Sequence, residues 1–320
     1  MKQKDKKNDS VSAEKYSEEW IHDTWGWDTP EEFIRTQGRN LRPRVLKAID
    51  LADLSEGMKI LDIGCGRGEV VLHCARMGVY SVGVDYSKEI IEIADAARAV
   101  HSEQEQELMV FICDDVKNLE TRDKFDRIFM LDLVEHLHDW ELLELFEYCH
   151  KVLAPDGCIV IHTLPNRWVY EITYRRLLRL FMPWLPKNPR SEFEKAIHVN
   201  EMSIVHLSNI LSEGGFKSRV WLQDLIVEQA KWHKKQPLSD KRGRLYSWLA
   251  NPVIGLMYKL IARTPLKVFI VNEMFAVGWK FEGALSVEIP FRLTESLVIW
   301  LLSRRELINE VPLQEKLFLR

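Results

Sequence analysis

Short apolar runs alternate with segments of helical periodicity through the middle of the chain. Five of these runs predict strands, at 59–63, 80–84, 108–113, 125–131 and 158–163. Between them, the segment 88–100 is typical of an amphipathic helix, because its apolar residues recur at helical spacing: Ile90, Ile91, Ala94 and Ala97. Strands and helices that alternate strictly at this length predict an α/β fold with a doubly wound, mostly parallel sheet.

The pattern changes after the fifth strand, where the chain becomes basic, aromatic and rich in proline. We interpret 164–200 and 224–266 as insertions, separated by a helix at about 201–212 and a strand at 216–222. A long last strand is predicted at 267–280. The predicted organisation has three parts: an N-terminal tail and covering helix at 1–40, a main domain at 41–281, and a C-terminal helical tail at 282–320.

Two helices are predicted ahead of the first strand. Thr29 and Pro30, followed by two glutamates, have the residue types of a helix start. A second helix is predicted at 42–54, where Val45 and Ile49 share one face. Both helices precede the first strand, so they are placed to cover a ligand bound at its end.

The composition excludes several classes of protein. With 46% hydrophobic and 29% charged residues, the 320-residue chain has the balance of a soluble globular protein, and its net charge of −4 gives no overall attraction to nucleic acid. The five cysteines form no C-x-x-C pair or metal-ligand spacing, so we expect reduced thiols, no metal and a cytoplasmic location. No secretory signal is recognised at the N-terminus, and no uninterrupted apolar run reaches the roughly 18–20 residues of a membrane span.

The most informative motif is a strand that runs into three alternating glycines and then into a helix. It reads Leu61-Asp62-Ile63-Gly64-Cys65-Gly66-Arg67-Gly68-Glu69. Glycine has no Cβ, so the chain can turn sharply there and a ligand can approach the backbone. The next strand ends in Asp85, which either accepts hydrogen bonds from ribose hydroxyls or caps the following helix. Together these features predict a nucleoside-binding βαβ unit.

The glycine spacing distinguishes between nucleosides. Dinucleotide sites favour G-x-G-x-x-G/A, but here the pattern is G-x-G-x-G and the sixth position is Glu69. A carboxylate at a helix start disfavours a pyrophosphate beside it. A ligand with ribose and adenine but without phosphate therefore fits better.

These residues resemble the class I S-adenosylmethionine-dependent methyltransferases. The motif positions that match are Asp62, Gly64, Gly66, Gly68 and Asp85. The resemblance implies a seven-stranded Rossmann-like sheet with helical insertions, closed by an antiparallel hairpin, and S-adenosyl-L-methionine as the cofactor. It implies that these five residues contribute to the cofactor site.

The resemblance also assigns the ends of later strands to that site. Tyr86 follows the ribose-binding acid, and Asp114 would take a hydrogen bond from the adenine amino group while Asp115 offers its backbone N–H to the ring. The alternative is that Asp114 and Asp115 form a solvated turn. Leu131 would give main-chain contacts to the methionine part of the cofactor, and Asp132 would face the substrate.

The acceptor is indicated only by a looser resemblance, to methyltransferases similar to those of ubiquinone biosynthesis. This resemblance rests on three motifs: Glu135-His136-Leu137, Leu153-Ala154-Pro155-Asp156-Gly157 and Thr163-Leu164-Pro165-Asn166. It implies a small-molecule, saccharide or lipid-linked acceptor, methylated on oxygen in preference to nitrogen or carbon. The net acidity of the chain indicates no nucleic-acid partner. The reaction would be an in-line displacement in which alignment supplies much of the rate.

Two histidines are candidates for catalysis. His136 has an ordinary pKa near 6.5, which suits a general base, although the side chain could equally cap or pack on the next helix. His162 leaves the next strand tip, on the edge of the sheet where α/β enzymes carry their active sites. A structural, hydrogen-bonded histidine is the alternative for His162 and also for His198.

The insertions leave alternatives open as well. The segment 167–190 either grips an anionic or sugar-phosphate acceptor or forms the solvated face of a lid. The segment 224–266 opens basic and continues apolar, a combination typical of peripheral membrane contact. We favour packing of its apolar part on the lid or in a dimer contact, because the apolar residues do not form one narrow stripe. Membrane contact and oligomeric state stay open.

Two other functions are compatible with such a fold. One is a nicotinamide-dependent oxidoreductase, which Glu69 and Asp114 disfavour. The other is a methyltransferase-like protein that binds the cofactor without turnover. The glycine loop, Asp85 and Asp114 favour cofactor binding, but they do not by themselves establish catalysis.

Overall fold

A computed structural model describes residues 10–11, 28–188, 190, 192–233 and 252–281. The C-terminal tail at 282–320 and most of the basic run that opens the second insertion lie outside these residues. Seven strands form one sheet: β1 (Lys59–Ile63), β2 (Tyr80–Asp85), β3 (Met109–Cys113), β4 (Phe125–Leu131), β5 (Leu153–Thr163), β6 (Phe216–Leu222) and β7 (Met274–Lys280). The strand order is β3-β2-β1-β4-β5-β7-β6, and β7 is antiparallel to both of its neighbours. The predicted mostly parallel sheet with an antiparallel hairpin is confirmed.

The helices alternate with the first five strands and then form the insertions. They are α1 (Pro30–Arg35), α2 (Pro43–Ala52), α3 (Glu69–Ala75), α4 (Lys88–Ala99), α5 (Glu103–Glu107), α6 (Asp139–Val152), α7 (Arg179–Phe181), α8 (Glu192–Ile197), α9 (Ile204–Glu213), α10 (Ile226–His233) and α11 (Pro252–Ala262). Short 3₁₀ helices lie at Val116–Asn118, Val134–His136 and Pro265–Phe269, and a π-helix spans Val169–Leu178. No helix among these described residues has the length and apolar character needed to cross a membrane.

The sheet is buried on both faces, which explains why its central strands read as continuous apolar runs. On one face, α6 and α9 pack on the sheet through residues such as Phe146 and Leu207. On the other face, α2 packs on β4 and β5, and α3 packs on β2 and β3. Ala48 of α2 belongs to the same buried cluster as Phe129 and Val160. Because β1, β2, β4 and β5 run parallel, their carboxyl ends lie together at one end of the strands. We call this end the functional edge of the sheet.

Two predicted boundaries are wrong. The fifth strand, predicted at 158–163, begins earlier, at Leu153, and a register shift between Phe125 and Arg127 of β4 accommodates the added residues. The long last strand predicted at 267–280 begins only at Met274. Thr264 caps a 3₁₀ helix at Pro265–Phe269 instead, by accepting a hydrogen bond from the Leu266 N–H.

The first insertion packs against the segment that precedes β7, beyond the carboxyl end of β5. The buried amide of Asn166 donates hydrogen bonds to the carbonyls of Val268 and Val271, at 2.8 and 3.1 Å. The Thr173 hydroxyl, in the π-helix, donates to the Phe269 carbonyl. The π-helix is therefore fixed to the segment that precedes β7, next to the functional edge of the sheet.

Candidate active site

The glycine loop between β1 and α3 has the geometry that only glycine tolerates well. Gly64, Gly66 and Gly68 all have positive φ, at 70°, 53° and 82°. A Cβ added at Gly68 would lie 2.4 Å from the ring of Phe111. The loop is held against β2 by the Gly64 N–H, which donates to the Val84 carbonyl at 2.8 Å. The three predicted glycines are thus required by the backbone itself.

Asp85 joins this loop to the start of α4. Its carboxylate accepts hydrogen bonds from the N–H groups of Gly66 and Ser87, at 3.1 and 3.0 Å. Burial raises the pKa of Asp85, and these backbone hydrogen bonds oppose the rise. The next residue, Tyr86, is exposed. Asp85 therefore joins the glycine loop to the residue at which α4 begins, and its contact with ribose stays a prediction.

Asp62 lies inside the sheet beneath the loop. Its side chain is buried, and burial, aided by the nearby charges of Glu69 and Asp85, raises its pKa to about 8. A neutral carboxyl can both donate and accept hydrogen bonds under the loop. This position supports a role in shaping the cofactor site.

Asp114 and Asp115 are exposed at the end of β3 and form a turn. The Asp114 carboxylate accepts from the Asp115 N–H at 2.7 Å and from the Asn118 side chain at 2.8 Å. The Asp115 carboxylate accepts from the Lys117 N–H, which starts the 3₁₀ helix. The N–H predicted to meet adenine already has an acceptor here, so adenine binding would need this turn to adjust.

Leu131 and Asp132 end β4 on the same edge. Asp132 has a positive φ of 55°, a conformation that is costly for a residue with a Cβ. Its carboxylate lies 2.7 Å from the Arg44 guanidinium and 2.5 Å from Nδ1 of His162. Burial alone would raise the pKa of Asp132, but Arg44 and His162 hold it well below the usual range.

His162 is fully buried between two carboxylates. Its Nε2 lies 2.6 Å from Oε2 of Glu273, opposite the contact with Asp132. Burial lowers the pKa of His162, but Asp132 and Glu273 outweigh burial and raise it to about 9. With both ring nitrogens donating, His162 has no lone pair for a substrate proton. Its geometry argues against the predicted role as a base.

His136 lies in the 3₁₀ helix after β4, edge-on to His198 with ring centroids 4.9 Å apart. Burial and the neighbouring His198 lower the pKa of His136 to about 3. The imidazole is therefore neutral near pH 7, but it is a weak proton acceptor. This environment weakens the case for His136 as the base.

Glu135 was named in the sequence analysis only as part of a motif and was given no role there. It is buried, and its carboxyl accepts a hydrogen bond from the Thr163 hydroxyl at 2.7 Å. Burial and the charge of Asp132 raise the pKa of Glu135 to about 8. A strongly perturbed acid at the functional edge is a candidate proton acceptor.

Glu135, His136 and His198 also converge, with one possible ligand atom from each within 4.8 Å of the others. One carboxylate and two imidazoles form a donor set that a divalent cation could use. Sequence spacing could not indicate it, because His198 is far from the other two in the chain. The expectation that the reaction needs no metal stays a prediction.

Two arginines surround Glu69 beside the glycine loop: Arg67 from the loop itself and Arg42 from the N-terminal side of α2. Arg67 donates to the Asp28 carbonyl at 2.8 Å and pairs with Glu69 at 3.2 Å. Arg42 lies 3.7 Å from the same glutamate, and its buried Nε has no hydrogen-bond partner among the described residues. The charge of Glu69 is thus compensated inside the protein, which weakens its use as evidence against a phosphate-bearing ligand.

Comparisons with known proteins agree on the family. The profile of a methyltransferase domain family matches residues 33–219. The chain is 26% identical over 208 residues to a ubiquinone biosynthesis O-methyltransferase of Rhodopseudomonas palustris, a match that covers 65% of this chain and 71% of that protein. A protein of the same name from a Bradyrhizobium strain is 30% identical over 155 residues, which cover 48% of this chain and 58% of that protein.

A solved structure supports the fold. Phosphoethanolamine N-methyltransferase 2 of Haemonchus contortus, in complex with S-adenosyl-L-methionine, superposes with a TM-score of 0.51 at 18% identity. The superposition covers 84% of this chain and 60% of that one. At this identity the likeness concerns the fold alone. The family match spans more than half of the chain, so this protein belongs to the methyltransferase domain family and is an S-adenosylmethionine-dependent methyltransferase, as its glycine and acid motifs predicted.

Proposed function

We propose that this protein transfers the methyl group of S-adenosylmethionine to a hydroxyl oxygen of a small, lipid-linked acceptor. The observation that carries the proposal is the glycine loop joined to Asp85 at the carboxyl edge of the sheet. The relatives named as ubiquinone biosynthesis O-methyltransferases support oxygen as the methylated atom and a phenol with an apolar tail as the acceptor class. A free saccharide is the competing acceptor class, and the experiment below compares the two.

The cofactor would lie along the loop and the strand ends. The backbone of Gly64, Gly66 and Gly68 leaves room for it, since no Cβ projects there. We assign Asp85 and Tyr86 to the ribose, Asp114 and Asp115 to the adenine, and the main chain of Leu131 to the methionine part, as the family resemblance implies. Arg42, whose buried Nε has no partner among the described residues, suits the carboxylate of the cofactor.

Methyl transfer to a hydroxyl releases a proton, and Glu135 is the best-placed group to accept it. With a pKa of about 8 its carboxyl is mostly protonated at pH 7, but the ionised fraction, which grows as pH rises, is a stronger base than His136, whose pKa is about 3. The sulfonium cofactor supplies the electrophilic methyl group when it is bound. The protein's own contribution would be alignment of the acceptor oxygen, exclusion of water by α2 and the insertions, and removal of the proton.

An exposed apolar surface on the insertions supports a lipid-linked acceptor. On α11 the exposed residues follow helical spacing: Val253, Leu256, Met257 and Leu260. The π-helix and α7 add a second exposed group: Leu177, Leu178, Leu180 and Phe181. Both groups flank the 3₁₀ helix at Pro265–Phe269, where Leu266 is exposed as well. We call these residues, with Trp184, the insertion surface.

Charge indicates which partner this surface would meet. Exposed basic residues border it on both insertions: Arg175, Arg176, Lys259 and Arg263. Large apolar side chains rimmed by basic ones suit the interface of an anionic membrane. The exposed stripe on α11 departs from the expected packing on the lid, whereas the dimer contact that we also expected stays a prediction. We therefore propose peripheral binding to an anionic membrane, which would bring the site to an acceptor held in the lipid.

Methyl transfer is tested with the purified full chain, S-adenosylmethionine and two acceptors: a dihydroxyphenol carrying a short isoprenoid tail and a free saccharide. We expect a mass gain of one methylene unit on the phenol and stoichiometric formation of S-adenosylhomocysteine. Methylation of the saccharide alone would replace the acceptor class. Binding of S-adenosylhomocysteine without turnover of either acceptor would contradict the proposed reaction, and thermal stabilisation by NAD alone would contradict the cofactor.

A further inference from the structure

A row of alternating charges crosses the functional edge of the sheet. Arg44 of α2 contacts Asp132 at the end of β4, at 2.7 Å, and Asp132 contacts His162 of β5 at 2.5 Å. His162 contacts Glu273, which immediately precedes β7, at 2.6 Å. The amide of Gln229 in α10 donates to the other oxygen of Glu273. We call these five residues the edge network.

The geometry fixes the protonation of the histidine at its centre. Both ring nitrogens of His162 face carboxylate oxygens, and a carboxylate can only accept a hydrogen bond. Burial raises the pKa of Glu273, but the hydrogen bond and charge of His162 outweigh burial and lower it, so Glu273 is ionised. His162 is therefore an imidazolium that holds two carboxylates at once.

His162 holds Asp132 in two ways. Its backbone carbonyl accepts a hydrogen bond from the Asp132 N–H at 2.9 Å, and its ring donates to the Asp132 carboxylate. These contacts offset the cost of the positive φ at Asp132. The side chain of His162 is fully buried, whereas that of Asp132 is 26% exposed, so the fixed carboxylate faces the mouth of the site.

The two ends of the edge network belong to covering elements. At one end, Arg44 lies in α2, which packs on β4 and β5. At the other end, Gln229 lies in α10, which contacts α2 and whose Trp232 donates to the side chain of Asn40 at 3.2 Å. The covering helices α2 and α10 are thus both joined to the strand ends through His162.

We propose that His162 is a positioning residue that fixes Asp132 at the mouth of the methyl-transfer site and joins the covers α2 and α10 across the edge of the sheet. The inference rests on the proposed function, because it takes the cofactor to bind at this edge. It differs from the base predicted from the sequence, since a doubly donating imidazolium cannot take a proton from the acceptor. The charged groups that face His162 are Asp132, Glu273 and, through them, Arg44; Glu135 lies nearby.

Nitrogen-15 and proton NMR spectroscopy of protein labelled with nitrogen-15 histidine tests the geometry directly. We expect one imidazole with two protonated nitrogens and two strongly downfield protons that persist from pH 6 to about pH 8. Both signals should vanish in His162→Gln and persist in His150→Gln, a control whose ring contacts the Gly215 carbonyl at the opposite edge of the sheet. A single-nitrogen, neutral tautomer for His162 at pH 7 would overturn the proposal.

Calorimetry with S-adenosylhomocysteine and hydrogen exchange test the link to function. Glu273→Gln removes one carboxylate of the edge network and leaves the contact with Asp132, so this variant serves also if His162→Gln fails to fold. We expect it to shift only the Nε2 proton, to speed exchange in α10 and to weaken binding roughly fivefold, the low end of typical coupling between linked sites. Unchanged exchange and affinity would overturn the link. Failure of the wild type to bind would instead contradict the proposed function, and the resonance signals would be unaffected.

Discussion

The carboxylate of Asp85 accepts a hydrogen bond from the backbone N–H of Gly66, at 3.1 Å and across 19 residues of chain. This bond joins the end of β2 to the middle of the glycine loop. The residue proposed to bind ribose therefore also shapes the loop that would hold the rest of the cofactor. Loss of the Asp85 carboxylate is therefore expected to weaken ribose binding and to disturb the shape of the glycine loop.

Asp85→Asn should weaken binding of S-adenosylhomocysteine by roughly 10- to 100-fold, because hydrogen bonds to a charged group contribute about 1.5–3 kcal/mol. Isothermal calorimetry measures the change. The matched control is Asp126→Asn, since Asp126 also accepts a backbone hydrogen bond, from Lys59 at 2.8 Å, but at the start of β1. Equal affinity of Asp85→Asn and the wild type would show that the ribose assignment is wrong.

Gly68→Ala should destabilise the fold and block the cofactor site. Its φ of 82° already costs an L-residue about 1–2 kcal/mol, and the new Cβ would meet Phe111 at 2.4 Å. Gly57→Ala isolates the backbone cost, because Gly57 has a φ of 84° and nothing within 4 Å of the added Cβ. Denaturant unfolding should show the larger loss for Gly68→Ala. Similar losses in both variants would exclude a steric role for Phe111.

The parts of the fold that were predicted correctly depend on local signals. The glycines at 64, 66 and 68 and the acid at 85 sit at strand ends, and an apolar run followed by a turn residue marks a strand end in the sequence itself. The order of alternating elements then brings those ends to one edge of the sheet. Fold class and the position of the cofactor loop follow from these signals alone.

The parts that were missed depend on contacts between distant segments. His162 and Glu273 are separated by 111 residues, and no periodicity indicates that they pair. The sequence therefore could not show that His162 is locked between two carboxylates. Glu69 is a similar case: its apparent repulsion of phosphate is compensated by Arg67, two residues away, and by Arg42, which only the folded chain brings beside it.

The raised pKa of Glu135 implies a pH-dependent stability. In the folded protein its pKa is about 8, against an ordinary 4.5, so the folded state binds one more proton between these values. The contribution is full below about pH 4.5 and is lost as pH rises through 8, by at most about 1.4 kcal/mol per pH unit. Glu135→Gln, which resembles the protonated acid, should lose less stability than the wild type in this window.

Chemical denaturation at pH 5, 7 and 9 measures this difference. The contribution of His162 has the same sign, because its pKa is also raised, but it is common to both proteins. Glu147→Gln on the exposed side of α6 is the control, since Glu147 pairs only with exposed Lys151 at 2.8 Å among the described contacts. Parallel pH curves for Glu135→Gln and the wild type would mean that Glu135 is ionised in the folded protein at pH 7.

The insertion surface should bind anionic vesicles, and its apolar and basic residues should contribute separately. Phe181 and Trp184 are each 75% exposed, so Phe181→Ser with Trp184→Ser should weaken binding at any salt concentration. Arg175→Gln with Arg176→Gln should weaken it by roughly 30-fold at low salt, at about 1 kcal/mol for each charge near the membrane, and less at high salt. Co-sedimentation with phosphatidylcholine vesicles, with and without phosphatidylglycerol, measures both effects.

Met77→Ser is the control, because Met77 is also exposed but follows α3 at the opposite edge of the sheet. If both double variants bind the vesicles as tightly as the wild type does, the insertion surface is not the membrane contact.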